Sequence, residues 1–334
     1  MIKQIAIFLL TFIFVANANN ANADVVKVAG RQIFVNDAPY TIKGICYHPV
    51  PKGTDSRNFV NLTEDLKLMN EAGINTIRVY SPITEVAVLD QINAAGIKLI
   101  IGFGYNQGGN YDILSGTFAD YVKAWKNHGA ILLWELGNEY NFHPEWFGGD
   151  IENWYKALNN AAELIHQIDP SHPVTTAHGE LPDSKALSMC PNIDVWGMNV
   201  YRWDNPEAIF TEWSAVSTKP MFLSEAGADS YMAAALNGFE QGENEQAQAK
   251  ATKNILDQIF SNHEICSGVA LFAFVDELWK AGNNNSLDPG GWAPKSSGVP
   301  YDGAANEEYW GIVKIDRSKK LAFEVVKEKF TEKR

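Results

Sequence analysis

Eight short runs of mostly apolar, β-prone residues recur along the chain: Thr41–Tyr47, Thr76–Tyr80, Lys98–Phe103, Ile131–Leu136, Val174–Ala177, Val195–Val200, Met221–Ser224 and Val269–Val275. Between them lie segments with helical apolar spacing, among them Leu62–Ala72, Val86–Ala95, Phe118–Asn127, Ile151–Ile168 and Glu243–Asn262. Strands that alternate with helices build a parallel sheet, and eight such repeats predict a single (β/α)8 barrel, the TIM-barrel form of the α/β class. Gly73 and Gly96 stand just before strands, where a helix ends in the left-handed region, and Thr63-Glu-Asp suits a helix N-terminus. Gly30 to Tyr40 reads as a short hairpin turning at Asn36-Asp37, placed to close the barrel bottom. The longest irregular stretch, Ala281 to Tyr309, follows the eighth strand. A loop of that length in a compact domain is usually functional, and it is expected to wall one side of the barrel mouth.

Ahead of the first repeat come Lys3, an apolar run from Ile5 to Val15, and a small polar stretch ending in Ala21-Asn-Ala23. The run is well short of the roughly 20 residues that span a bilayer, and A-x-A is a cleavage signal. Residues 1–23 are therefore expected to be a signal peptide, with residues 24–334 forming one exported domain, periplasmic or secreted. No Cys follows the apolar run to accept a lipid. A formal net charge of -13 argues against nucleic acid and anionic membranes, and fits a neutral substrate better. Cys46, Cys190 and Cys266 have no zinc-site spacing, and Cys46 lies in a core strand, so buried free thiols are expected. Neither metal nor cofactor is implied. The chain reads as a monomer, with no membrane insertion once the leader is cleaved.

Barrel enzymes carry their chemistry at the C-terminal ends of the strands. Glu139 lies just past the fourth run and Glu225 ends the seventh, each where an apolar strand runs out. A carboxylate there must pair, shift its pKa or face a cleft. Two of them across a barrel mouth suit glycosidic bond cleavage, in which one protonates the leaving oxygen and the other attacks the sugar or activates water. Arg78, between Ile77 and Val79, needs a carboxylate partner. Asn199 and Tyr201 end the sixth strand and His178 the fifth. A Tyr and an Arg donating to Glu225 would hold it as a nucleophile, and Asn138 could grip the hydroxyl beside the reacting carbon. Trp279, with Trp203 and Trp292 in flanking loops, offers flat faces for sugar C–H groups. Trp134 and Trp196, inside strands, read as core. No Gly-rich phosphate loop follows strand seven or eight, and no Lys ends a strand as a Schiff base requires.

Leu136-Gly-Asn-Glu139 resembles the Asn-Glu motif of glycoside hydrolase clan A, and Ser224-Glu-Ala-Gly-Ala-Asp229 resembles its nucleophile strand. Gly197-Met-Asn-Val-Tyr201 and Asn75-Thr-Ile-Arg78 are similar to the clan's strand-six and strand-two motifs. Tyr40-Thr-Ile-Lys-Gly-Ile-Cys-Tyr-His48 and Gly227-Ala-Asp look like family 2 catalytic domains, which adds Tyr47 and His48 to the candidate binding residues. Arg78-Val-Tyr-Ser-Pro82 and the strand-eight loop look closer to family 72 β-1,3-glucanosyltransferases. The resemblance implies a retaining enzyme with Glu139 as acid/base and Glu225 as nucleophile, acting on a β-linked glucan or related polysaccharide and passing the sugar to water or to a second sugar. An exo-acting galactosidase or glucuronidase, and a non-catalytic carbohydrate-binding protein of the cell envelope, are the alternatives. The tryptophan that often ends strand eight in the clan stands here displaced, in Phe274-Val-Asp-Glu-Leu-Trp279.

Overall fold

The structure is a computed structural model and describes residues 24–106, 110–281 and 301–332. The expected signal peptide, Trp292 and most of the long loop lie outside the described residues. Eight parallel strands close into a barrel: Ile42–Cys46, Thr76–Val79, Lys98–Phe103, Ile131–Asn138, Val174–Gly179, Val195–Asn199, Met221–Ala226 and Cys266–Leu271. They are referred to below as the first to the eighth. Each pairs with its neighbours in sequence, and the eighth returns to the first through Gly268 opposite Ile42 and Leu271 opposite Ile45. Among the described residues a helix follows every strand, so the eight βα repeats read from the apolar pattern are all present.

Local chemistry accounts for the element ends. The first two helices, Leu62–Glu71 and Val86–Ala94, run out two residues before Gly73 and Gly96, which take φ of 74° and 73°. Glycine enters that region without the cost a Cβ imposes. Asp150, Asp183 and Asn244 cap later helices by accepting from backbone N–H groups two or three residues on. The turn at Asn36-Asp37 joins Gln32–Val35 to Ala38–Tyr40, with positive φ at both residues as a tight hairpin requires. A preceding strand, Val26–Ala29, extends this hairpin to a three-stranded sheet. Its Ile33 packs with Ile42, Ile100, Leu133, Val195 and Phe222, closing the barrel at its N-terminal end.

The eighth strand begins and ends earlier than its apolar run predicts. Cys266, Ser267 and Gly268 join the ladder despite weak β preference, whereas Ala273, Phe274 and Val275 leave it. Phe274 N still donates to Cys46 O of the first strand, but these residues also pair with the chain returning from the long loop: Ala273 N donates to Trp310 O, and Val313 N to Phe274 O. The barrel thus gains an extra limb across its top, formed by residues 301–313. All three cysteines are buried and free.

Tyr47 is a correction. It is fully buried, but its hydroxyl donates to Asp65 in the first helix at 2.6 Å, where Arg317 also grips Asp65 at 2.8 and 3.0 Å. One residue past the end of the first strand, it faces the barrel wall rather than the mouth. Tyr47→Phe should lower stability by about 1.5–3 kcal/mol in urea unfolding, the range for a hydrogen bond to a charged group, with little change in any catalytic constant. A selective loss of substrate affinity would return Tyr47 to the binding site.

Candidate active site

The polar core of the barrel is organised by Arg78, which is completely buried on the second strand. A guanidinium in that position needs anionic partners in fixed geometry. Glu135, inside the fourth strand, supplies a bidentate pair, with Nε to Oε2 at 2.8 Å and Nη2 to Oε1 at 2.8 Å. The remaining donors point upward, Nη1 to Glu225 Oε1 and Nη2 to Asn138 Oδ1, both at 2.7 Å. One cation therefore ties strands two, four and seven together at the level of the mouth.

Both candidate acids sit where their strands depart from regular pairing. The register between the fourth and fifth strands shifts between Glu135 and Asn138, and that between the sixth and seventh shifts between Leu223 and Glu225. Such irregularities re-aim side chains. In the fourth strand Gly137 takes φ of 73°, and a Cβ there would lie 2.5 Å from the Trp154 ring. Two residues on, Glu139 itself adopts φ of 56°, a conformation uncommon for a side chain of its kind and held by the N–H bond to Ala177 O at 2.8 Å.

The environments of the two acids differ. Glu225 is buried and accepts from three donors: Arg78, the Tyr80 hydroxyl at 2.8 Å and the Tyr201 hydroxyl at 2.8 Å. Burial first, and then neighbouring negative charge including Glu225, pushes both phenols well above their ordinary pKa, so they remain donors. Glu139 is half-buried and, among the described residues, forms no ion pair. Burial, reinforced by the charge of Glu225, pushes its pKa up to about 7. Asn199 links the two halves: its Nδ2 donates to Asn138 Oδ1 at 3.1 Å, while its Oδ1 accepts from Ser224 Oγ at 2.7 Å. With its oxygen taken by Arg78 and Asn199, Asn138 is left to offer its NH2 beside Glu139.

Of the residues expected from sequence, Glu139, Glu225, Arg78, Asn138, Asn199 and Tyr201 converge on this one ring. His48 lies at its edge, 6.3 Å from the Tyr80 ring and 5.5 Å from that of Trp279. Burial, then the charges of Arg57 and Lys280, pulls its pKa down to about 4, so it is neutral at ordinary pH. Trp279 is half-buried in a 3₁₀ turn, Leu278–Ala281, and Trp203 is 40% exposed at the rim. His178 does not join them. It shares the outward side of Met198, its register partner, packs 6.0 Å from Trp196, and bonds the Glu180 carbonyl through Nδ1. Strand parity sends it to the layer between barrel and helices. Sequence reasoning missed Glu135, Tyr80 and Trp310. Glu135 was signalled by the single acid inside Ile131-Leu-Leu-Trp-Glu-Leu, two residues inward of Gly137. Trp310 was hidden by the loop that brings it to within 5.2 Å of the Tyr201 ring. Among the described residues no group of three or more His, Cys, Asp or Glu is placed to hold a metal.

This arrangement agrees with comparison to known proteins. The family model described as glycosyl hydrolases family 2, TIM barrel domain, matches residues 106–276, just over half of the chain, and the chain belongs to that family. It is 23% identical over 218 residues to the beta-galactosidase of Pseudoalteromonas haloplanktis, covering 60% of this chain and 20% of that protein. The 1,3-beta-glucanosyltransferase gas5 of Schizosaccharomyces pombe is 26% identical over 238 residues, 60% of this chain and 46% of that one. The beta-glucuronidase of Felis catus is 26% identical over 262 residues, 70% of this chain and 37% of that one. The chain spans less than half the length of each of these relatives. Among solved structures, the beta-galacturonidase of Eisenbergiella tayi superposes with a TM-score of 0.67 at 23% identity, covering 92% of this chain and 54% of that one. Bacteroides uniformis beta-glucuronidase 2 gives 0.70 at 17%, covering 93% and 38%. These last likenesses establish the barrel.

Arg78→Met should lower unfolding free energy by roughly 3–5 kcal/mol, the usual cost of leaving buried charge without its partner. Adding Glu135→Leu should recover part of that loss in denaturant titrations. Equal stability of Arg78→Met and the parent would contradict the pairing described.

Proposed function

We propose that the chain is an exported retaining β-glycosidase acting on a β-linked glucan or related polysaccharide, with Glu225 as nucleophile and Glu139 as acid/base. One observation carries the division of roles. Glu225 is the acceptor for three donors, one of them cationic, while Glu139 keeps a proton up to near neutrality. Two acids whose surroundings separate them in this way mark an acid/base assignment.

In the first step a Glu225 oxygen bonds to the anomeric carbon as the glycosidic C–O bond breaks, and the Glu139 proton passes to the leaving oxygen. Asn138 is placed to hold the adjacent sugar hydroxyl. In the second step the Glu139 carboxylate takes a proton from water or from a hydroxyl of another sugar, whose oxygen attacks the anomeric carbon and releases Glu225. Water gives hydrolysis; a sugar gives transfer. The similarity to a glucanosyltransferase supports a glucan substrate and transfer. A second reading, an exo-acting galactosidase or glucuronidase, has support from the names of other relatives. Export is supported by the apolar run Ile5 to Val15 followed by Ala21-Asn-Ala23.

Glu225→Gln should abolish turnover of β-1,3-, β-1,4- and β-1,6-linked oligosaccharides while the circular dichroism spectrum stays that of the folded parent. Mass spectrometry of parent digests reports linkage and any transfer product, and substantial activity in the variant would sink the assignment. Because the first step needs protonated Glu139, kcat/KM should fall as pH rises through about 7. Glu139→Gln should remove that alkaline limb and slow substrates with poor leaving groups by about 10²–10⁴-fold, the span of general acid catalysis. An unchanged pH profile in the variant would assign the proton to another group.

A further inference from the structure

A second buried charge cluster stands at the mouth, and the chemistry above makes no use of it. Glu277 and Lys280 follow the eighth strand, and Glu307 comes from the returning limb. Lys280 Nζ lies 2.9 Å from Glu277 Oε2 and 2.5 Å from Glu307 Oε2. Glu277 is 3% exposed and Glu307 9%. Two carboxylates around one ammonium leave the cluster with a net negative charge. Burying such a group gains little stability compared with an apolar packing, so its presence calls for another reason.

Its neighbours supply one. Lys280 Nζ sits 4.5 Å over the Phe272 ring, Phe272 lies 5.6 Å from Trp310, and Trp310 lies 5.2 Å from Tyr201, whose hydroxyl bonds Glu225. On the other side Trp279, 5.7 Å from Lys280, packs on His48, and His48 packs on Tyr80, the second phenol on Glu225. The cluster therefore forms the next layer of the mouth beyond the nucleophile's own donors. Burial is the main cause of the raised pKa of both Glu139 and Glu277, and the charges add to it, Glu307 on the first and Glu225 on the second. Among the described residues the nearby arginines are already engaged. Arg78 holds Glu135 and Glu225, Arg202 holds Glu180 and Glu212, and Arg57 gives its terminal nitrogens to the carbonyls of Ser81 and Pro82.

We propose, on the basis of the retaining-glycosidase reading, that Glu277, Lys280 and Glu307 form a specificity wall that accepts the hydroxyl groups of a neutral hexose and rejects a hexuronic acid. Sugar O–H groups donate to the two carboxylates and accept from the ammonium, whereas a uronate adds negative charge against a wall already negative. Like charges in a cleft shielded from water repel far more than in bulk. The wall thereby separates this chain from the beta-glucuronidases whose barrel it shares.

Two covalent probes that differ only at C6 read the wall directly: cyclophellitol aziridine and its 6-carboxylate, each in gluco and galacto configuration. Intact-mass spectrometry of the full chain follows their attachment to Glu225. The neutral probe should label at least about 100-fold faster, and Glu307→Gln and Glu277→Gln should each narrow that ratio by roughly tenfold, because each leaves Lys280 with one carboxylate fewer. A merely structural cluster would slow both probes alike in the variants. Equal or faster labelling of the parent by the carboxylate overturns the wall and leaves the glycosidase reading standing. Labelling by neither probe, together with no turnover of β-linked oligosaccharides, overturns the glycosidase reading and the wall with it. Circular dichroism identifies a variant that fails to fold, in which case the other decides.

Discussion

The guanidinium of Arg78 is the interaction on which the site depends. A fully buried cation is tolerable only when its donors are satisfied by charge and by good geometry. Arg78 meets that requirement with Glu135 below and Glu225 and Asn138 above. Its position on the second strand makes it equidistant in role between the fourth and the seventh, the two strands that carry the acids. A planar fork fixes both at once, which a lysine's point charge would not do. The same group therefore answers a folding problem and aligns the reacting residues.

Regular strands alone would not have presented the acids. In the fourth strand a left-handed glycine and a left-handed glutamate follow one another across Asn138, and the ladder to the fifth strand skips a step there. The seventh strand skips at Ser224, whose side chain bonds Asn199 and whose carbonyl accepts from Arg78. Backbone irregularity at both places is secured by the same polar network that orients the side chains. Local strain and the buried network are thus one construction, and neither stands without the other.

Much of this was legible in the chain. Alternating apolar runs and helical segments carry the barrel because burial on both faces of a parallel strand leaves a plain mark. Glu139, Glu225 and Arg78 stood out because charge within or at the end of an apolar run demands an explanation. Tyr47 and His178 misled because they rest on which side of a strand a residue faces, and one step of register reverses that at a strand's end. Glu135 lay in plain view but inside the run, where an acid reads as an exception rather than a partner. Glu277, Lys280, Glu307 and Trp310 come together only through the path of a long loop, and no spacing rule predicts where such a loop returns.

That return path is itself held by a buried cation. Lys320 Nζ donates to Asp276 Oδ1 at 2.6 Å, to Ser230 Oγ at 2.9 Å and to Tyr309 O at 3.1 Å. It thereby joins the exit of the eighth strand, the loop after the seventh and the limb that carries Glu307 and Trp310. Asp276 also accepts from Gly311 N at 3.0 Å, fixing the limb against the strand it leaves. The barrel closes by pairing its first and eighth strands, but its mouth closes by this lysine, which sits just ahead of the last helix. A substitution there would act on the Trp310 face behind Tyr201 and on the Lys280 cluster together. The C-terminal segment consequently belongs to the site's architecture although it contributes no group to the chemistry.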